Sequence, residues 1–169
     1  MEELKTLEEV MMPDSRARGF VILNHETGQK REFGVKDLYK EIELIRLDDG
    51  VPEELQSQFN VARNLCLYSW YCYSFHNIAC LQAYSTIELA LRIRLGKAED
   101  TKSTLRPLLD EALAKGLISE DWMPEGISYL RNISAHGKLV IHPWSVMLLR
   151  RSADVINQIF APTSGNSQT

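Results

Sequence analysis

EELQSQFNVARNLCLYSWYCYSFHNIACLQAYSTIELALRIRL, residues 53–95, runs without a glycine or a proline and draws mainly on Leu, Ala, Tyr, Trp and Cys, with few charges in its middle. As one helix it would extend about 60 Å, too long for a domain of this size, so it has to break. The aromatic and polar cluster WYCYSFHN at 70–77 is the place for the break, which predicts one helix near 53–70 and a second near 76–95, ending at Gly96. Just upstream, DDGVPEEL supplies a turn, a proline suited to the first helical position, and Glu53 and Glu54 where the helix dipole favours negative charge.

Working outward, TKSTLRPLLDEALAKGLI places Leu105, Leu108, Leu109, Leu113 and Leu117 on one helical face. EGISYLRNISAH reads as a fourth helix stopped by Gly137, and WSVMLLRRSADVINQIF as a fifth with Val146, Leu149, Ala153, Ile156 and Phe160 as its stripe. There are no internal repeats, so residues 51–160 read as one antiparallel helical bundle. The tail APTSGNSQT, 161–169, is polar and expected to be disordered. Ahead of the bundle, residues 1–50 read as an extension of a different kind. GFVILNHETGQKREFGV predicts a β-hairpin with Phe20, Ile22 and Phe33 facing inward. VKDLYKEIELIRL fits a helix through Val35, Leu38, Tyr39, Ile42 and Ile45 and a strand through Ile42, Leu44 and Leu47, and a short helix running into a strand satisfies both. The expected architecture is mainly α, a helical bundle with a small N-terminal β-hairpin and αβ extension.

With 169 residues and 44 % hydrophobic side chains the chain can bury a core without staples. No apolar run is long enough for a transmembrane helix, and MEELKTLEEV is acidic and amphipathic where a secretion signal is basic and then greasy, so a soluble, cytoplasmic protein is expected. Cys66, Cys72 and Cys80 are an odd number without CxxC spacing, which fits reduced, packed thiols. The net charge of −4 argues against a general nucleic-acid binder, yet it is uneven: residues 1–55 hold fourteen acidic and eight basic side chains, a net of −6, leaving +2 for the remainder. Between Gly126 and Ala153 there is no acidic residue, while Arg131, Lys138, Arg150 and Arg151 are basic.

That positive zone contains RNISAHG, 131–137. Arginine followed five positions later by histidine is a weak signal by spacing alone. Its neighbours add to it: Asn132 and His136 are four apart and share a helical face, Arg131 sits on the adjoining one, and His136 falls in the last turn beside Gly137. R-N-x-x-x-H near a helix end, ahead of the last helix of a small bundle, resembles the R-x(4-6)-H motif of the HEPN superfamily. AYSTIELALRIRLG, 83–96, is similar to the Ala- and Leu-rich helix with an embedded glutamate found in those bundles. The resemblance covers about residues 51–160 and leaves 1–50 outside it. It implies a metal-independent ribonuclease without a cofactor, commonly a homodimer whose two motifs meet across the interface, of toxin–antitoxin or phage-defence type and so with an antitoxin-type protein partner. Alternatively it implies a member that has lost activity and binds RNA or proteins. By position Arg131 and His136 become the defining pair and Asn132 the polar residue after the arginine; apart from the resemblance, Glu88, Lys138 and His142 are candidate supporting residues.

The chemistry suits these side chains. Cleaving RNA without metal needs a base for the ribose 2′-OH and positive charge for the phosphorane-like transition state, roles that imidazole and guanidinium can fill. A structural reading stands beside it: Arg131 covering a neighbouring helix end, Asn132 bonding a loop, and His136 stabilising a helix C-terminus. Glu88 is either paired with Arg92 four residues on or, among Ile87, Leu89, Ala90 and Leu91, half-buried and reaching Arg131 or the partner chain. Cys72, His76 and Cys80 recur every four residues as a zinc stripe would, but the helix break and aromatic neighbours favour packing, and no metal site is expected. Trp70, Tyr71, Tyr73 and Phe75 read as core rather than as base-stacking groups. Phosphate loops, nucleophile elbows and dinucleotide fingerprints are absent from the sequence.

Overall fold

The computed structural model describes residues 4–98, 104–119, 131–132 and 144–162. Helix α1, Val35–Glu43, follows a hairpin of strands β1, Val21–Leu23, and β2, Lys30–Glu32. Next come α2, Glu53–Tyr68, α3, Phe75–Arg94, α4, Leu105–Ala114, and, after Arg131 and Asn132, which are helical, α5, Trp144–Phe160. The architecture is a mainly α-helical bundle preceded by a small antiparallel hairpin. No helix among the described residues is long and apolar enough to cross a membrane.

The break in the 53–95 stretch falls at Ser69–Ser74. The Ser69 hydroxyl donates to the Cys66 carbonyl at 2.5 Å, closing α2 with a side chain where the backbone ladder stops. The elbow is then held from outside the bundle. Asp14 donates its backbone N–H to the Trp70 carbonyl at 2.9 Å, and its carboxylate accepts the Tyr73 N–H at 3.1 Å. At its other end α3 closes on Gly96, whose φ of +69° only glycine adopts without strain, and Lys97 N–H reaches the Arg92 carbonyl at 2.7 Å.

Two long-range contacts set the direction of the last helix. The Ser145 hydroxyl and the His76 ring are 2.7 Å apart at the start of α5 and α3, while Arg94 Nε donates to the Ile159 carbonyl at 3.1 Å near their ends. Helices α3 and α5 therefore run parallel, with α2 antiparallel to α3. The core lies between them: Leu55, Phe59, Ile87, Leu91, Leu149, Ile156 and Ile159 are fully buried, with Leu108 and Leu109 of α4 packed alongside. The stripe read on α5 is buried at Val146, Leu149, Ala153 and Ile156 and half-buried at Phe160.

The strand expected after α1 is not formed. Residues 45–48 run as irregular chain, their backbone bonding a side chain of α5 instead of a neighbouring strand, while the end of α1 just before them is held by α2. Asn157 of α5 accepts from Asp48 N–H at 2.9 Å and donates to the Arg46 carbonyl at 3.2 Å, and Arg63 of α2 reaches the Ile42 and Glu43 carbonyls. Ile45 is drawn into the core by the same arrangement. In the hairpin, Val21 pairs with Glu32 and Leu23 with Lys30; Phe33 packs toward Trp70 with ring centroids 6.2 Å apart, and Phe20, Ile22 and Phe33 are each half-buried. Residues 163–169 of the tail and most of the expected fourth helix lie outside the described residues.

Candidate functional site

Glu88 projects from the middle of α3, between the fully buried Ile87 and the partly buried Leu89. A carboxylate so placed needs a cation, and Arg92, one turn further on, donates to its Oε1 at 2.6 Å. Both members of the pair are largely covered. The other oxygen, Oε2, lies 3.9 Å from the Arg131 guanidinium, so Glu88 meets both of the arginines that the sequence offered it. Arg131 also stands 3.5 Å from the Asn132 side-chain oxygen, and Asn132 itself is exposed.

The two arginines are not equivalent. Arg92 is held at hydrogen-bond distance in a covered pair. Arg131 is 42 % exposed and makes an ion pair without a close hydrogen bond. Two guanidiniums around one carboxylate leave a net positive charge, and a half-exposed pair at this distance is worth about 0–1 kcal/mol, so a phosphate can take the place of Glu88 at little cost. Arg131, Asn132 and Glu88 are thus collected at one place; His136, Lys138 and His142 lie outside the described residues.

The zinc stripe does not assemble. Helix α3 begins at Phe75, leaving Cys72 in the elbow, while His76 turns to Ser145 and Cys80 is buried. Burial pushes the Cys66 and Cys80 thiols up to about 12, so both stay protonated at neutral pH. Among the described residues no group of three or more His, Cys, Asp or Glu side chains can hold a metal ion. Trp70 and Tyr73 pack as core residues: Tyr73 is buried, meets the His76 ring edge-on at 4.9 Å and carries the Arg16 guanidinium on its face at 5.0 Å. A cavity of about 10 Å³, the size of one water molecule, lies under the hairpin among Phe20, Phe33, Ser69, Trp70, Tyr73 and His76.

Sequence reasoning missed two polar residues that matter here. Ser145 bonds His76 and the Cys66 thiol together, and Asp14 anchors the elbow; each acts on a partner more than fifty positions away, for which no local pattern exists. Comparison with models of known families, with curated proteins and with solved structures finds no match for this chain.

Proposed function

We propose that this chain is a HEPN-like protein that binds RNA and cleaves it without metal, with Arg131, Asn132 and His136 as its site. The observation that supports the reading is the half-exposed Arg131 guanidinium, loosely paired with Glu88 and set beside Asn132. In this mechanism His136 takes the proton of a ribose 2′-OH as the oxygen attacks its own phosphate. Arg131 leaves Glu88 to make a planar, two-point contact with the phosphate oxygens, and Asn132 orients the ribose. The departing 5′-oxygen needs an acid, which a second His136 supplies if two copies meet about a two-fold axis. Lys138 adds positive charge in this reading, and His142 is a supporting residue. A toxin or phage-defence role, with an antitoxin-type protein partner, follows from the same resemblance.

A second reading, a helical dimerisation or protein-interaction module, is favoured by the large apolar side chains exposed at Leu4, Leu7 and Trp144. Incubation of purified protein with single-stranded RNA in EDTA separates the two. Cleavage that disappears in both Arg131→Ala and His136→Ala, with the fold retained, supports the enzyme. Cleavage that survives the double substitution points to a contaminant, and a stable partner whose binding survives it supports the module.

A further inference from the structure

The segment ahead of the Asp14 anchor is folded yet uncovered. The Glu9 carboxylate accepts from Thr6 N at 3.3 Å and from Thr6 Oγ1 at 3.0 Å, and the Lys5 ammonium donates to the Met12 carbonyl at 2.7 Å. Polar groups hold the turn, and its apolar side chains are left in water: Leu4 is 99 % exposed, Leu7 90 %, and Val10, Met11 and Met12 are also exposed. Apolar side chains clustered in solvent on an ordered segment mark a surface that meets something.

A second uncovered surface is the outward side of α5. Trp144, Met147, Arg150, Arg151 and Asp154 are its exposed residues from first turn to third, and Trp144 is 60 % exposed. Their spacing puts them along one side of the helix, two apolar groups followed by two arginines. Asp154 ends the stripe.

The two surfaces share an end of the bundle. Asp14, at the root of the arm, bonds the backbone of Tyr73; the Tyr73 ring meets His76; and His76 bonds Ser145, next to Trp144. They also match in character. Over the arm Leu4–Met12, Glu8 and Glu9 outnumber Lys5, whereas on the stripe Arg150 and Arg151 outnumber Asp154. Within one protomer the arm does not lie on the stripe, as the exposure of Leu4, Leu7, Trp144 and Met147 requires.

We propose that the arm Leu4–Met12 of one copy docks on the Trp144–Arg151 stripe of a second copy, reciprocally, about a two-fold axis at this end of the bundle. Leu4, Leu7 and Met11 cover Trp144 and Met147, and Glu8 lies toward the arginines. Other residues carry this inference than carry the RNA reading, and it goes beyond that reading.

The test is the mass of the full-length chain in solution by sedimentation and light scattering. The wild type is expected at twice the chain mass at micromolar concentration, and Leu7→Asp and Trp144→Asp each as monomers, with the dimer dissociation constant raised at least about tenfold. Should Trp144→Asp lose its helical circular dichroism, Met147→Glu replaces it. An arm variant mixed with a stripe variant regains one intact arm-to-stripe contact and re-forms a mixed dimer. A wild type that stays monomeric at about 100 µM overturns the proposal, as do variants that remain dimeric. Monomeric single variants that fail to associate on mixing overturn the arm-to-stripe pairing itself. RNA cleavage is read separately with Arg131→Ala: a dimer without cleavage fails the RNA reading alone, and cleavage that persists in the monomeric Leu7→Asp shows that the arm contact is not what completes the site.

Discussion

The guanidinium of Arg131 stands 3.9 Å from the carboxylate of Glu88, across the gap between α3 and the helical turn that carries Arg131 and Asn132. Because Arg92 already holds the other oxygen of that carboxylate at 2.6 Å, Glu88 is fixed in place and can steer Arg131 without sequestering it. In Glu88→Gln the steering charge is gone while the side-chain shape is kept. If the chain cleaves RNA as proposed, cleavage by this variant is expected to fall about tenfold in kcat with KM unchanged or lower, since the carboxylate no longer competes with phosphate. Arg131→Ala should lose about a hundredfold or more. Single-turnover and steady-state kinetics separate the two, and unchanged kinetics in Glu88→Gln would reduce the carboxylate to a partner of Arg92.

Asp14 makes stability depend on acid. Its carboxylate accepts from Arg16 N and Nε, both at 2.9 Å, from Arg16 Nη2 at 2.8 Å and from Tyr73 N at 3.1 Å. The side-chain bond to Arg16, more than any other contact, holds its pKa well below the ordinary carboxylate value of 3.8, against the opposing effect of burial. A group depressed on folding stabilises above its unfolded pKa and ceases to as pH falls toward the folded one. Urea midpoints should therefore drop from pH 5 to pH 2.5 in the wild type. Asp14→Asn should be about 2 kcal/mol less stable at pH 7 and show a shallower acid decline.

The three thiols should react in two classes. Cys66 and Cys80 are buried and pushed up to about 12, whereas Cys72, in the elbow, is only partly covered. At pH 8 a disulfide reagent is expected to titrate one thiol in the native protein and all three after denaturation. Substitution of Cys72 by serine should remove the fast one, and fast reaction of a second thiol would contradict the packing of α2 on α3.

The Ser145 hydroxyl is a buried junction. Removing it in Ser145→Ala takes one partner each from the His76 ring and the Cys66 thiol, at a cost of about 1–3 kcal/mol. Chemical denaturation measures the loss. A neutral effect would mean that the imidazole and thiol are satisfied without it.

Gly96 tests the helix end without touching a contact. A Cβ there meets nothing within 4 Å, so the cost of Gly96→Ala comes from the backbone at φ +69° alone, roughly 1 kcal/mol. Gly50→Ala, also in open space but without the positive φ, is expected to be nearly neutral. Thermal melts of both variants check the difference.

Much of the fold was legible because its signals are local. A long run without Gly or Pro, the proline and glutamates at 52–54 and the glycine at 96 state where α2 begins and α3 ends, and period-3.6 stripes state which faces of α4 and α5 turn inward. The strand expected from Ile42, Leu44 and Leu47 failed for a reason local pattern does not contain: the partners of that backbone are Asn157 and Arg63, brought in by other helices. At the candidate site the sequence left Glu88 to choose among Arg92, Arg131 and a partner chain, and the fold supplied both arginines.

By itself the sequence determined where helices start, stop and bury their stripes, since those choices are settled by propensity, capping and periodicity within a few residues. Only the tertiary structure decided that α3 and α5 run parallel, that Asp14 grips the elbow and that Arg131 comes to Glu88. Each of these depends on which distant side chain satisfies a buried polar group, and that demand can be read from the chain while its answer exists only once the chain has closed on itself.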